Sequence, residues 1–290
     1  MSASITGKTK VIGIFGYPVE HSFSPAMHNA AFAHSGLDYV YVPFAVRPDH
    51  LGSAVAGIRA LGLAGVNVTI PHKSAVLEFL DELSPEARLI GAVNTIVNRD
   101  GVLTGFNTDA AGFVRSLGEE GGVTPQDKRI LILGAGGAAR AASIQLALAG
   151  AKEIVFSTPC PDEVASLRHS ITQNTETVIN ESQWDPQEIA EVLQNMDLII
   201  NATPMGMHPK TDEMPPVEIE AIPRGTLVCD LVYNPRETLL LQKARSYGLP
   251  TLNGMGMLLY QGAIAFGLWT GTEPPLNIMR RALEGALTID

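Results

Sequence analysis

The sequence predicts an α/β protein of two domains, on three observations. Segments of strand character alternate with segments of helix character along almost the whole chain, the mark of βαβ units around a mostly parallel sheet. A length of 290 residues exceeds one ordinary domain and suits about two, at roughly 100–200 residues each. After Leu117 the alternation is broken by Gly118-Glu-Glu-Gly-Gly122, a polar glycine-rich crossover.

Taken in order, Val11–Gly16 reads as a strand, and Ser24-Pro25 opens a helix. Serine suits the N-cap there, and proline is tolerated in a first turn. Tyr39–Val46 is expected as a strand, Asp49 to about Leu61 as a helix and Gly65–Ile70 as a strand. Ala75–Leu83 then reads as a helix and Val93–Val97 as a strand. In the third strand Val66, Val68 and Ile70 alternate with Asn67 and Thr69, the period of a strand with two different faces. Pro71 has no N–H to give, so it ends the ladder and leaves Thr69 and Lys73 at the carboxyl end, where open α/β sheets bind ligands. A helix from about Asp109 to Leu117 leads to the crossover. The second module has strands at Lys128–Leu133, Glu153–Ser157, Leu198–Ala202, Thr226–Asp230 and Thr251–Asn253. Helices are expected from Met257 to Trp269 and after Pro275, and the acidic segment Pro209–Pro216 reads as a loop.

Composition narrows the function classes. A net charge of −10 argues against nucleic acid as a partner, because phosphate binding needs a basic footprint. It allows an anionic small molecule held by a few local groups. No apolar run approaches the roughly 20 residues of a membrane span, and no apolar signal segment follows the polar start, Met1 to Lys10. Cys160 and Cys229 form no CxxC pair and read as reduced thiols of a cytosolic protein. His21 and His28 stand seven apart, His50 and His72 are isolated, and no HExxH occurs, so no metal site is expected.

Ile130–Leu133 runs into Gly134-Ala135-Gly136-Gly137-Ala138-Ala139-Arg140 and then an alanine-rich helix to Ala149. This is GxGxxA between a strand and a helix, the context a dinucleotide fingerprint demands. Gly134 permits the tight turn, Gly136 lets backbone approach a pyrophosphate, and Ala139 allows close helix–strand packing. The next strand ends Ser157-Thr158-Pro159-Cys160-Pro161-Asp162. It shows neither the acid that marks NAD nor the arginine that marks NADP at its end; Asp162 lies farther along. Both dinucleotides stay open on these residues.

Four polar clusters stand at the ends of first-half strands. Ser22 and Ser24 flank Phe23 at a helix start, where they either clamp a carboxylate or merely cap. Thr69 and Lys73 follow the third strand, Asn94 emerges from the apolar run Gly91-Ala-Val-Asn94, and Asp109 begins a helix after Asn107-Thr108. Hydroxyls, an amide, a lysine and a carboxylate together suit a polyhydroxylated carboxylic acid.

The runs Gly16-Tyr-Pro-Val-Glu-His-Ser-Phe-Ser-Pro-Ala-Met-His-Asn29, Asn67-Val-Thr-Ile-Pro-His-Lys73, Gly91–Asn94 and Asn107-Thr-Asp109 resemble the shikimate dehydrogenase family. So do Gly134–Arg140, Asn201-Ala-Thr-Pro-Met-Gly-Met207, Asp230-Leu-Val-Tyr-Asn-Pro235 and Gly254-Met-Gly-Met-Leu258 with Gln261. The resemblance implies reversible, NADPH-dependent reduction of 3-dehydroshikimate to shikimate, on the route to chorismate and the aromatic amino acids. It implies a discontinuous open α/β substrate domain, residues 1–112 plus 255–290, and a Rossmann-type dinucleotide-binding domain, residues 113–254. Ser22 and Ser24 would hold the substrate carboxylate. Thr69, Lys73, Asn94, Asp109 and Gln261 would hold the ring hydroxyls, with Tyr233 nearby, and Lys73 and Asp109 would form the catalytic pair. Gly134, Ala135, Gly136, Gly137 and Ala138 would cradle the cofactor phosphates, while Leu231 and Gly254 would line the nicotinamide side. A cytoplasmic monomer or homodimer, without nucleic-acid or membrane partners, is the expectation. NADP-using members of the family usually carry Asn-Arg-Thr with a further arginine where this chain has Ser157-Thr158-Pro159, while Arg140 after the glycine loop is retained as a candidate contact; this keeps NAD in play and brings an NAD-preferring quinate/shikimate dehydrogenase into consideration. A catalytically silent metabolite sensor is the reading of another class, and retention of both Lys73 and Asp109 weighs against it.

Overall fold

The computed structural model describes residues 5–287; the outermost residues of the expected domain limits, 1–4 and 288–290, lie outside the described residues. The chain divides into two compact units. One takes the chain up to Asp109 and again from Leu259, and the other runs Ala110–Leu258.

The first unit contains β1 (Lys10–Gly16), α1 (Ser24–His34), β2 (Tyr39–Ala45), α2 (Leu51–Ala60) and β3 (Gly65–Val68), followed by β4 (Glu82–Leu83), α3 (Pro85–Ile90), β5 (Thr95–Arg99) and β6 (Val102–Phe106). Helix α4 (Thr108–Glu119) carries the chain across the unit boundary. In the second unit follow β7 (Arg129–Leu133), α5 (Gly137–Leu148), β8 (Glu153–Ser157), α6 (Asp162–Thr172), β9 (Val178–Ser182), α7 (Pro186–Leu193), β10 (Leu198–Asn201), β11 (Leu227–Asp230), α8 (Leu239–Ser246) and β12 (Thr251–Leu252). Helices α9 (Met255–Thr270) and α10 (Leu276–Leu287) return to the first unit.

The sheet of the second unit has the order β12-β11-β10-β7-β8-β9 and is parallel throughout. Counted from β7, that is the doubly wound dinucleotide-binding order, with its reversal point between β7 and β10. Its strands are buried on both faces, as Ile130–Leu133 and Leu198–Ile200 show, and such strands read as continuous apolar runs.

The sheet of the first unit, β2-β1-β3-β5-β6-β4, is mostly parallel as expected, with one strand reversed. Strand β5 is antiparallel to both β3 and β6. The cause is a tight turn in which Asp100 and Gly101 both take positive φ, 52° and 90°. Asp-Gly is a strong hairpin signal of this kind. The expected helix Ala75–Leu83 is corrected: a short 3₁₀ helix spans Ala75–Phe79, and Glu82–Leu83 joins the sheet. The Asp81 carboxylate accepts the Leu103 N–H (2.7 Å) and Arg59 (2.7 Å), which draws the chain alongside β6. Helix α3 then starts with Ser84 accepting from the Ala87 N–H.

Helix α9 is fastened to this sheet by Trp269, whose indole N–H donates to the Ile96 carbonyl (2.9 Å). Gly65 makes that approach possible, since a Cβ there would stand 2.4 Å from the indole nitrogen. Beside it His28 is fully buried, stacked on Tyr41 with ring centroids 4.6 Å apart, and neither ring nitrogen has a hydrogen-bond partner among the described residues. Burial pushes its pKa down to about 3. The unfolded chain takes up a proton below roughly pH 6.5, whereas the folded chain resists protonation to about 3. Stability is therefore full above pH 6.5 and falls through that window by up to about 1.4 kcal/mol per pH unit. Denaturant titration at pH 5 should give a stability roughly 2 kcal/mol below that at pH 7. His28→Phe, which keeps a ring against Tyr41, should flatten this slope; an equally steep slope in the variant would place the acid sensitivity elsewhere.

Candidate active site

The mixed sheet explains how scattered residues meet. The carboxyl ends of β1, β3 and β6 lie at the same edge as the amino end of the antiparallel β5. That edge therefore receives Ser22 and Ser24 after β1, and Thr69 and Lys73 after β3. It also receives Asn94 before β5, and Thr108 and Asp109 after β6.

Lys73 Nζ donates to Asp109 Oδ2 at 2.7 Å, with the two side chains 36% and 16% exposed. This pair is charge-assisted and half-buried, so it holds the ammonium in one place more firmly than a solvated pair would. The Lys73 carbonyl accepts the Val93 N–H (2.8 Å), which fixes the neighbouring Asn94. Asn94 is buried. Its Oδ1 accepts the Thr108 N–H (2.7 Å), and its Nδ2 donates to Thr108 Oγ1 (2.9 Å) and, at 3.5 Å, to Gln261 Oε1 on α9. Gln261 thus joins the set from the far end of the chain. Thr69 sits over Gly16, where a Cβ would come within 2.4 Å of its methyl group.

Beneath these residues runs a polar network that the sequence reading did not single out. Tyr41 Oη donates to Asn67 Oδ1 (2.6 Å), and Asn67 Nδ2 donates to the Asn94 carbonyl (3.0 Å) and Thr95 Oγ1 (3.0 Å). Thr95 in turn contacts Thr108 (3.1 Å). Burial pushes the Tyr41 phenol pKa up and keeps it a proton donor. Fully satisfied buried networks of this sort fix the side chains above them. Asn67, in the middle of an apolar β3, was the one visible signal.

Ser24 corrects another expectation. It is the first residue of α1 and is buried; Phe23 holds the N-cap position, with no side-chain cap. The Ser24 hydroxyl faces the Tyr41 phenol instead, and its N–H donates to Ser22 Oγ (3.3 Å). The two serines are therefore coupled, and capping does not account for them.

The glycine loop lies in the second unit. Gly134 adopts φ 101°, and a Cβ there would press on Thr203 (3.0 Å) and Ala202 (3.3 Å), the residues following β10. Ala135 is buried, whereas Gly136, Gly137 and Ala138 are exposed at the start of α5. A Cβ on Gly136 or Gly137 would meet nothing within 4 Å, and Gly136 caps the helix without a side chain. The unpaired N–H groups of this 12-residue helix and its positive dipole end therefore open onto free space, which fits a pyrophosphate. At the neighbouring strand ends, buried Asp230 accepts from Asn201 (3.0 Å), the Val232 N–H (3.0 Å) and Thr238 (2.6 Å). Burial raises its pKa, and those bonds oppose the shift. Asn201 Oδ1 holds Thr203 (2.7 Å), so one network sets the loops after β10 and β11. Gly254 lies against Leu231, where a Cβ would stand 2.3 Å from the Leu231 carbonyl oxygen. Tyr233 follows on the same segment, 40% exposed, and belongs to this unit. Among the described residues no group of three His, Cys, Asp or Glu could hold a metal ion, and no helix is long and apolar enough to cross a membrane.

Comparison with known proteins places the chain. Residues 14–96 match the model of the shikimate dehydrogenase substrate binding domain, and residues 254–284 that of the shikimate 5'-dehydrogenase C-terminal domain. A shikimate dehydrogenase (NADP(+)) of Desulforamulus reducens is 50% identical over 280 residues, 97% of this chain and 96% of that protein. The crystal structure of Listeria monocytogenes shikimate 5-dehydrogenase with shikimate and NAD superposes with a TM-score of 0.93 at 41% identity, covering 97% and 98% of the two chains. That of a 5-ketofructose reductase of Gluconobacter, without ligand, gives 0.89 at 36% identity, covering 97% and 99%. With half its residues identical to such a relative across nearly the full length of both, the chain belongs to the shikimate dehydrogenase family.

Proposed function

We propose that this protein is an oxidoreductase that interconverts 3-dehydroshikimate and shikimate with NADP(H), a step toward chorismate and the aromatic amino acids. The observation that carries the reading is the Lys73–Asp109 pair at 2.7 Å, set among Thr69, Asn94 and Gln261 at one sheet edge. The nicotinamide ring, when bound, supplies or accepts the hydride. Reduction leaves the former carbonyl oxygen in need of a proton, and Lys73 Nζ is the group that gives it; in oxidation Lys73 Nζ takes the hydroxyl proton. Asp109 holds the ammonium by its hydrogen bond and orients the same hydroxyl. Thr69, Asn94 and Gln261 fix the remaining ring hydroxyls, and hydrogen bonds to them set the carbon that faces the hydride. Ser22 and Ser24 hold the carboxylate. The Gly134–Ala138 loop binds the pyrophosphate, and Leu231 and Gly254 back the nicotinamide, with Tyr233 on the same segment. The protein acts in the cytoplasm as a monomer or homodimer.

The carboxylate clamp distinguishes this substrate from a neutral keto sugar, which offers the serines no anion. Ser22→Ala should raise KM for shikimate roughly tenfold, the scale of one hydrogen bond to a charged group, with kcat changed far less. Steady-state kinetics check it, and an unchanged KM would remove Ser22 from the clamp. Turnover of shikimate with NADP⁺ by the purified protein tests the whole reading; binding without turnover would favour a metabolite sensor.

A further inference from the structure

The adenosine end of the dinucleotide site carries an inference that deepens the proposed function and rests on it. Strand β8 ends at Ser157, whose carbonyl accepts the Gly134 N–H (2.8 Å), so the residues following Ser157 flank the glycine loop. In doubly wound dinucleotide sites this is where the ribose 2′ position is read, by an acid for a hydroxyl or an arginine for a phosphate. Here the turn 158–161 carries no basic side chain. The buried Ser157 hydroxyl donates to the Gln183 carbonyl (2.8 Å). Thr158 Oγ1 accepts the Cys160 N–H (3.1 Å), which uses that donor too. Pro159 and Pro161 have no N–H, so the turn cannot form a nest of backbone donors around an anion.

The cations nearby are also spoken for. Helices α5 and α6 contain two arginines. The Arg140 guanidinium donates to Ser166 Oγ (3.0 Å) and Ser170 Oγ (3.3 Å). Arg168 donates to the Ile179 carbonyl and pairs with Glu181. The first turn of α6 instead presents Asp162 and Glu163, whose charge opposes a phosphate dianion and also offsets the helix dipole. The pyrophosphate cradle is thus intact, while the turn offers a 2′-phosphate no cation and the Arg140 guanidinium is directed to the α6 serines. We propose that this site does not select for the 2′-phosphate, and that NAD⁺ and NADP⁺ bind with comparable affinity.

Titration calorimetry of the purified full chain with each dinucleotide tests this without reference to turnover. The expected dissociation constants differ by less than about threefold. Raising salt from roughly 0.05 to 0.5 M should not weaken NADP⁺ relative to NAD⁺, because no cation pairs with the extra phosphate and the repulsion by Asp162 and Glu163 is screened. Thr158→Arg should tighten NADP⁺ by about tenfold, or 1.4 kcal/mol, and leave NAD⁺ unchanged. Arg140→Ala should leave the ratio unchanged. NADP⁺ binding more than about tenfold tighter than NAD⁺ in the unaltered protein would overturn the proposal, and loss of such a preference in Arg140→Ala would name the missing partner. Failure to bind either dinucleotide would instead overturn the dinucleotide reading of the glycine loop, and this inference with it.

Discussion

Lys73→Ala should lower kcat by roughly 10²- to 10⁴-fold, the range for removal of a positioned proton-transfer group, while KM for shikimate changes by only a few-fold. In the proposed mechanism the ammonium meets the reacting oxygen, and its proton moves only in the chemical step. Its loss therefore falls on the transition state more than on the bound ground state. In the proposed mechanism the ring is still held by Thr69, Asn94 and Gln261, and Asn94 is fixed independently of the Lys73 side chain by its hydrogen bonds to Thr108 and Gln261. Lys73→Ala also leaves Asp109 half-buried without its cation, so Lys73→Arg is the control. It restores the charge pair yet cannot release a proton near neutral pH, and should regain stability without regaining kcat. A proportional rise in KM with kcat unchanged would make Lys73 a binding group only.

Gly136→Val should weaken dinucleotide binding by a hundredfold or more and leave the fold intact. The two halves of that expectation have separate causes. A Cβ at Gly136 meets nothing within 4 Å in the protein, and the residue lies at φ −65°, ψ −170°, backbone that any residue adopts. The added isopropyl group instead fills the space in which, on the proposed reading, the α5 N–H groups would face a pyrophosphate, where close backbone approach is required. Gly134 is the contrasting position. Its φ of 101° and the contact with Thr203 mean that a side chain there strains the loop itself. Calorimetric titration with NADP⁺ and a thermal melt separate the two: undiminished affinity in Gly136→Val would remove the loop from the cofactor site.

What could be read in the sequence was local. The glycine loop announced itself because strand, turn and helix are contiguous, and Lys73 and Asp109 because each follows a recognisable strand or opens a helix. What escaped depends on pairing. The Asp100-Gly101 turn was a visible hairpin signal, but the surrounding βαβ rhythm favoured a parallel reading. Missing it hid β6, and with it the reason Asn94 and Asp109 share an edge. Strand β9, at the sheet edge, is five residues with Val178 exposed and Ile179 buried, too short a pattern to stand out. The 3₁₀ turn at Ala75–Phe79 was misread because the Asp81 contacts with Arg59 and Leu103 that redirect the chain are 22 residues distant. Tyr41, Thr95 and Thr108 look like ordinary strand and cap residues; only the three-dimensional network reveals that they carry Asn67 and Asn94. Ser24 looked like a cap because serine before proline usually is one.

The most direct test is the initial rate of NADP⁺ reduction by shikimate with purified protein, run beside Lys73→Ala and Ser22→Ala. The expected result is saturable turnover that falls through kcat in the first variant and through KM in the second. A folded, dinucleotide-binding protein with no turnover of shikimate, with either NADP⁺ or NAD⁺, would contradict it.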